Sequence, residues 1–332
     1  MTYQGDPIDE SSMCSDLGQV EIKRGDIMLS DRTVYVNGNF VEWDKAQVHI
    51  LSHGFSRGSA IFEVMSFHET KKGPAIFRLD EHIHRLFRTA ELLSMQLALS
   101  EEALQKAVLA TVKTNHLNSG IVKVVCYYHD IVFEILPPQR TLDTCITAID
   151  PVLDLGGLSL TASDGLSTCI CNWRRLHPET VPVEAKVAAN YLNGMMARLE
   201  SKQRGFDTGI MIDTEGFIAE GSLESVFFVK DDILTTPALG TVLQGITRRS
   251  LLEAAEFTHI KTAEKRVKPE VLLDADEILL CCSPAKIVPI KRIEKRVMQN
   301  VPGPVTRKLV ALFDEICSGK NPRFKGWLFP VK

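Results

Sequence analysis

The chain has 332 residues, 45% hydrophobic and 24% charged, with a mean hydropathy of +0.01, a composition that excludes the disordered, collagen-like and coiled-coil classes. This length exceeds one comfortable core, so two domains are expected. A net charge of -4 and a pI near 6.2 offer no concentrated basic face for nucleic acid, and Lys71-Lys72 and Arg248-Arg249 are too short to supply one.

No segment reaches the roughly 18 unbroken apolar residues of a membrane helix. Residues 1–32 read as an N-terminal extension. Asp6, Asp9, Glu10 and Asp16 deny it the basic start and apolar run of a secretory signal, so a soluble cytoplasmic protein is expected. Most of the eight cysteines sit in apolar runs such as Val124-Val125-Cys126, and no Cys-x-x-Cys pair is present. Free thiols are expected rather than zinc ligands or disulfides. His82 and His84 look metal-like, but residues two apart point to different faces of a helix, so no metal site is expected.

In chain order, Thr33-Val34-Tyr35-Val36 and Phe40-Val41-Glu42-Trp43 flank Asn37-Gly38, the signature of a tight hairpin. Apolar residues at helical spacing predict a helix over Glu81 to Leu97, and Ser100 is the candidate N-cap of a second reaching Thr114. Strands are predicted at Ile121 to Tyr128 and Cys145 to Ile149. The mixed, proline-bearing run from Asn172 to Pro182 reads as a connecting loop. Beyond it come a helix over Val187 to Arg204 stopped by Gly205, and strands at Thr208 to Ile212 and Phe217 to Ala219. A hairpin around Asp231-Asp232 follows. Helices at Arg248 to Phe257 and Pro304 to Ile316 enclose a strand at Glu277 to Cys282. The fold class is α+β: a small α+β domain (33–170), an interdomain loop (171–182) and a larger, mostly antiparallel β-rich domain (183–332).

Four features carry chemistry together, although each alone reads as ordinary surface. Lys186 precedes a helix, Glu220 closes a hairpin 34 positions later, Gly245-Ile246-Thr247 opens a helix, and Arg85 lies on one. A lysine amine can form a Schiff base with an aldehyde and then carry a proton as general acid and base. The N–H groups of Ile246 and Thr247 at a helix start make an anion site.

With their surroundings, these residues resemble the class IV (fold-type IV) pyridoxal-phosphate aminotransferases, above all the branched-chain amino acid aminotransferases. The shared text runs through Tyr35-Val36-Asn37-Gly38, Val48 to Phe55, Gly58 to Glu63, Phe77 to Leu86, the lysine segment, Gly216 to Gly221, Leu243 to Arg248 and Gly303 to Thr306, covering about residues 33 to 330. The resemblance implies pyridoxal 5'-phosphate as cofactor, Lys186 as the lysine that holds it, and Glu220 facing the pyridine nitrogen. It further implies Tyr191 at the phenolic oxygen, and Arg85, Ile246, Thr247 and Ser283 at the phosphate. A homodimer acting on amino acid and 2-oxo acid substrates follows from it too.

Departures cluster around the expected substrate pocket. Val64-Met65-Ser66 stands for the Gly-Ile-Arg of branched-chain enzymes and is closer to D-amino acid aminotransferases. Arg57 replaces an aromatic residue, Ile121 and Lys123 replace a tyrosine and an arginine, and Ser225 replaces an asparagine. Cys282-Ser283-Pro284 replaces Gly-Thr-Ala, and Pro284 removes one backbone donor. Phe62, Trp173, Arg57, Lys123 and Pro284 are the candidate substrate-binding residues. The expected reaction moves an amino group from leucine, isoleucine or valine to 2-oxoglutarate. The alternatives are a D-amino acid or (R)-amine transaminase, an aminodeoxychorismate-type lyase, and a non-catalytic binding protein, which would have no need of the whole set.

Overall fold

The computed structural model describes residues 28–155 and 164–332. The first half contains β1 (Thr33–Val36), β2 (Asn39–Glu42), α1 (His53–Arg57), β3 (Ala60–Thr70), β4 (Gly73–Phe77), α2 (Leu79–Leu92), β5 (Gln96–Leu97), α3 (Glu101–Thr114), β6 (Gly120–Tyr127), β7 (Thr141–Ile149) and α4 (Pro151–Asp154). The second half contains β8 (Leu166–Arg174), α5 (Tyr191–Gln203), β9 (Thr208–Ile212), β10 (Ile218–Gly221), β11 (Ser225–Lys230), β12 (Ile233–Pro237), α6 (Ile246–Phe257) and β13 (Lys261–Lys265). It continues through β14 (Glu277–Cys282), β15 (Lys286–Ile293), β16 (Arg296–Val297), α7 (Pro304–Cys317) and β17 (Leu328–Pro330).

The first sheet runs β17-β4-β3-β6-β7-β1-β2, with β5 beside β7. Its β1–β2 hairpin turns at Asn37 and Gly38, both with positive φ (47° and 95°), as a two-residue turn matched to strand twist requires. The β3 strand shows the two-residue period clearly. Ile61, Glu63, Met65 and Phe67 are wholly buried, and the three apolar ones share a core with Leu79, Ile83, Leu86, Leu104 and Val108 of α2 and α3. Phe62 and Val64 point to the opposite face, paired across the strands with Val125 and Lys123 of β6. That face becomes one wall of the site.

Helix α2 ends at Leu92, earlier than periodicity suggests. Ser94 adopts φ 54°, and the N–H groups of Ser94 and Met95 close onto the carbonyls of Glu91 and Ala90. This pair of bonds is the Schellman arrangement, and it frees Gln96-Leu97 to pair with β7. Ser100 does cap α3, accepting from the Ala103 N–H.

The second sheet runs β10-β9-β8-β15-β14-β11-β12-β13, with β16 beside β15. Antiparallel pairs predominate, but β8–β9, β8–β15 and β12–β13 are parallel. Two of these arise because a helix intervenes: α5 carries the chain from β8 to β9 and α6 from β12 to β13, and parallel neighbours need such crossovers.

Two boundaries differ from those read in the sequence. Residues 171–174 are not connecting loop but the end of β8, a strand of the second sheet. The C-terminal β17 returns to the first sheet against β4. Residues 1–27 of the expected extension, Cys14 included, lie outside the described residues. At its end Arg32 is tied to the body by a 2.6 Å ion pair with buried Asp154. The seven cysteines among the described residues are all free. Among the described residues no helix is long and apolar enough to cross a membrane.

Candidate active site

A cavity of about 470 Å³ opens between the sheets, within the usual size range of small-molecule sites. Its apolar wall is Phe62, Val64, Val125 and Leu223, and its polar groups include Lys186, Tyr191, Glu220, Arg85, Thr247 and Ser283.

Lys186 precedes a helix, as expected, but that helix does not begin at Val187. Val187 is extended (φ -98°, ψ 136°), a 3-10 turn spans Ala188–Asn190, and α5 begins only at Tyr191. The lysine backbone is instead docked between two elements. Its carbonyl accepts from the Phe62 N–H at 3.1 Å, and its N–H donates to the Thr89 hydroxyl of α2 at 3.1 Å. Nζ then lies 2.5 Å from the Tyr191 hydroxyl and 4.8 Å from the centre of the Phe62 ring. The Tyr191 ring meets Phe62 edge-on at 4.8 Å, which fixes the phenol.

Glu220 stands on β10 with its side chain 15% exposed. Oε1 is in ion contact with Arg175 Nε at 2.5 Å, though without hydrogen-bond alignment, and Oε2 accepts from the Leu243 N–H at 3.4 Å. Burial pushes this carboxyl up, while Arg175, the Leu243 N–H and Lys186 pull it back. The net direction is upward. Arg175 was not among the residues singled out in the sequence, and the mixed loop around it carried no signal.

Arg85 grips the wholly buried Glu63 with two hydrogen bonds of 2.7 Å and donates to the Gln244 carbonyl at 3.0 Å. His82 Nδ1, 2.7 Å from Glu63, donates to the same carboxylate. Desolvation opposes the charge on Glu63, yet Arg85 and His82 hold its carboxyl at about 2. Burial lowers the His82 pKa, so the ring is neutral, and its Nε2 accepts from the Ser283 hydroxyl at 3.3 Å. Ser283 in turn lies 3.4 Å from the Thr247 hydroxyl. Glu63 and His82 were also not singled out as site residues. A signal existed in the acid at an inward position of β3, between Ile61 and Met65.

Helix α6 starts at Ile246, two residues before the expected Arg248. Its N-cap is Gly245, which offers no side chain to the first N–H groups. A Cβ there would come within 2.7 Å of the Ser225 hydroxyl, so glycine is the residue that fits. The uncapped N–H groups, Arg85 and the Thr247 and Ser283 hydroxyls form a donor set suited to a phosphate. With a lysine amine and a carboxylate across the same cavity, the residues present fit a phosphorylated pyridine aldehyde.

Lys123 and Pro284 line the cavity as expected. Lys123 Nζ lies 5.4 Å from the Phe62 ring centre, and Pro284 occupies the β14–β15 turn, presenting no N–H. Arg57 and Trp173 do not line it. Arg57 ends the short α1 and donates outward to the Phe133 carbonyl at 3.2 Å, and Trp173 is 48% exposed on the projecting end of β8. Neither forms the substrate wall within this chain. Cys281 and Cys282 also face the cavity, but burial pushes both thiols up, Cys282 to about 11, which leaves them protonated and unreactive.

Comparison with known proteins agrees with this geometry. Residues 60–293 match the family described as amino-transferase class IV. The branched-chain-amino-acid aminotransferase of Escherichia coli (strain K12) is 31% identical over 301 residues, 90% of this chain and 97% of that protein. Among solved structures, the branched-chain aminotransferase of Thermoproteus uzoniensis with norvaline superposes with a TM-score of 0.86 at 32% identity, covering 91% of this chain and 99% of that one. The branched-chain amino acid aminotransferase of Thermobaculum terrenum in its PLP-form gives 0.85 at 27% identity, covering 92% of this chain and 99% of that one. The likeness spans both sheets and the cavity between them, and the chain belongs to the class IV aminotransferases.

Proposed function

We propose that this protein moves amino groups between amino acids and 2-oxo acids with pyridoxal 5'-phosphate, taking branched-chain amino acids as donors and 2-oxoglutarate as acceptor. The observation that carries the reading is the convergence of Lys186, Tyr191, Glu220, Arg85 and the α6 N-terminus on one cavity. When bound, the cofactor supplies an aldehyde for the amino group and a ring that accepts the electron pair left by the departing α-proton. Arg85, the Ile246 and Thr247 N–H groups and the Thr247 and Ser283 hydroxyls would hold its phosphate. Glu220, which lines the same cavity, would meet the ring nitrogen. Lys186 Nζ would hold the cofactor's aldehyde and supply the amine that moves the proton at the substrate α-carbon. Tyr191 keeps that amine in place through the 2.5 Å contact. Phe62, Val64, Val125 and Leu223 give an aliphatic side chain an apolar surface to bury against.

The assembly in this reading is a homodimer. Ile50, Leu51, Phe55, Ile131, Phe133 and Ile135 are all at least 44% exposed, and the two loops that carry them are joined by the bond from the His53 N–H to the Asp130 carbonyl. An apolar surface of this kind marks a contact with another chain. Arg57 lies on the same face.

A second reading changes the substrate to a D-amino acid or an (R)-amine, and it draws support from Pro284, which takes one N–H from the cavity wall. Coupled assays with L-leucine, D-alanine and an (R)-amine separate the two. Glutamate formed from L-leucine supports the first, and glutamate formed only from D-alanine or the amine replaces it with the second. Purified protein should be yellow, and borohydride should fix a pyridoxyl group on Lys186. A Lys186→Ala protein with full turnover would reject the mechanism.

A further inference from the structure

Glu220 lines two spaces at once: the large cavity on one side, and on the other a gap of about 30 Å³ that also touches Arg175, Asn190, Lys186 and Tyr191. Arg175 lines only the gap. It therefore stands behind Glu220 as seen from the cavity and touches nothing bound there.

We infer that Arg175 is a positioning residue, holding Glu220 ionised and oriented so that a bound pyridine nitrogen meets a carboxylate rather than a carboxylic acid. The inference rests on the proposed pyridoxal-phosphate reading.

Three observations carry it. The first is proximity in a secluded place: Arg175 Nε lies 2.5 Å from Glu220 Oε1, with the two side chains 8% and 15% exposed. Among the described residues Glu220 is the single carboxylate in ion contact with Arg175. The second is rigidity. The Arg175 N–H donates to the Ile212 carbonyl of β9, and Asn193 on α5 clamps the flanking backbone, its amide donating to the Arg174 carbonyl at 2.9 Å and its oxygen accepting from the Leu176 N–H at 3.3 Å. The guanidinium is built into the junction of β8 and α5.

The third is electrostatic need. A buried carboxylate alone favours its neutral form, and burial does push Glu220 upward. The charged groups facing it are Arg175 from the β8 end, Lys186 from the segment before α5, and Glu224 from the β10–β11 turn. Glu224 disfavours the anion, and it is itself paired with Arg198 at 2.6 Å. Once its amine is committed to the aldehyde, Lys186 is no longer a free ammonium. Of these groups, Arg175 is then the one permanent cation favouring the Glu220 anion.

The test is cofactor affinity as a function of pH, read by absorbance or fluorescence titration of purified protein with pyridoxal phosphate. Removing the guanidinium in Arg175→Met raises the Glu220 pKa further, so binding must first draw off a proton. Affinity should fall by roughly tenfold or more at neutral pH, the size of one charge-assisted contact, and recover as pH rises. Arg175→Lys keeps the charge and should stay within about threefold of the parent. On a Glu220→Gln background, Arg175→Met should have little further effect, because the group it acts through is gone. That double variant strands no buried charge, so it serves if Arg175→Met alone fails to fold. An equal loss in both backgrounds, or a pH profile like the parent's, overturns the inference. Failure of the parent protein to take up any pyridoxal phosphate would instead sink the functional reading itself.

Discussion

Arg85 and Glu63 form a two-pronged ion pair, Nε to Oε1 and Nη2 to Oε2, both at 2.7 Å, with the carboxylate wholly out of water. The strand β3 supplies the acid and α2 the base, so the pair locks the helix to the sheet where the cavity wall begins. It also leaves Arg85 able to reach the Gln244 carbonyl just before α6.

Breaking this pair should be costly and pH-dependent. The Glu63 carboxyl is held at about 2 against an ordinary 4.5, so its stabilisation is present above the ordinary value and lost as pH falls through the interval between them. Glu63→Gln strands a buried guanidinium and should destabilise by roughly 3–5 kcal/mol at neutral pH. In urea titrations the gap between variant and parent should narrow as pH is lowered through that interval. A gap constant with pH would contradict the assignment.

Tyr191→Phe removes the hydroxyl that sits 2.5 Å from Lys186 Nζ and keeps the ring against Phe62. Turnover should drop by roughly 10- to 100-fold, the scale of one hydrogen bond to a charged group. The melting temperature should barely move, since the packing survives. Steady-state kinetics alongside a thermal scan decide this, and unchanged turnover would remove Tyr191 from the site.

Lys123 projects into the cavity from β6, in register with Val64. A dicarboxylate acceptor needs a cation at its distal end and a branched aliphatic side chain does not. Lys123→Met should therefore raise KM for 2-oxoglutarate by about tenfold while leaving KM for L-leucine within a factor of about three. Equal rises for both substrates would point instead to a shared group such as the α-carboxylate.

Phe133 is 83% exposed at the centre of the apolar loops. Phe133→Glu should fold normally, because nothing among the described residues covers the side chain, yet should shift sedimentation from dimer to monomer by burying a charge at the proposed interface. An unchanged dimer would place the contact elsewhere.

The sequence by itself determined whatever local periodicity and turn chemistry control. Asn37-Gly38 and Asp231-Asp232 forced two hairpins, the latter with φ of 51° and 61°, and the strand Glu277–Cys282 lies where its apolar run predicts. Lys186, Tyr191, Glu220 and Arg85 each read alone as ordinary surface, and it was the resemblance to the class IV aminotransferases, carried by the text around them, that singled them out. Their meeting in one cavity follows from how the strands pair.

Only the tertiary structure decided the rest. The helix read from Val187 starts only at Tyr191, and bonds from Lys186 to Phe62 and Thr89, far away in sequence, dock the segment before it. Arg175 and Glu220 are 45 positions apart and meet only because β8 and β9 run parallel and β10 folds back on β9. Arg57 and Trp173 carry chemistry suited to a pocket, yet their elements project away from it. A side chain's type is written locally. Which face it presents, and what lies opposite, depends on strand register and crossover, and these are fixed by burying apolar area across the whole chain.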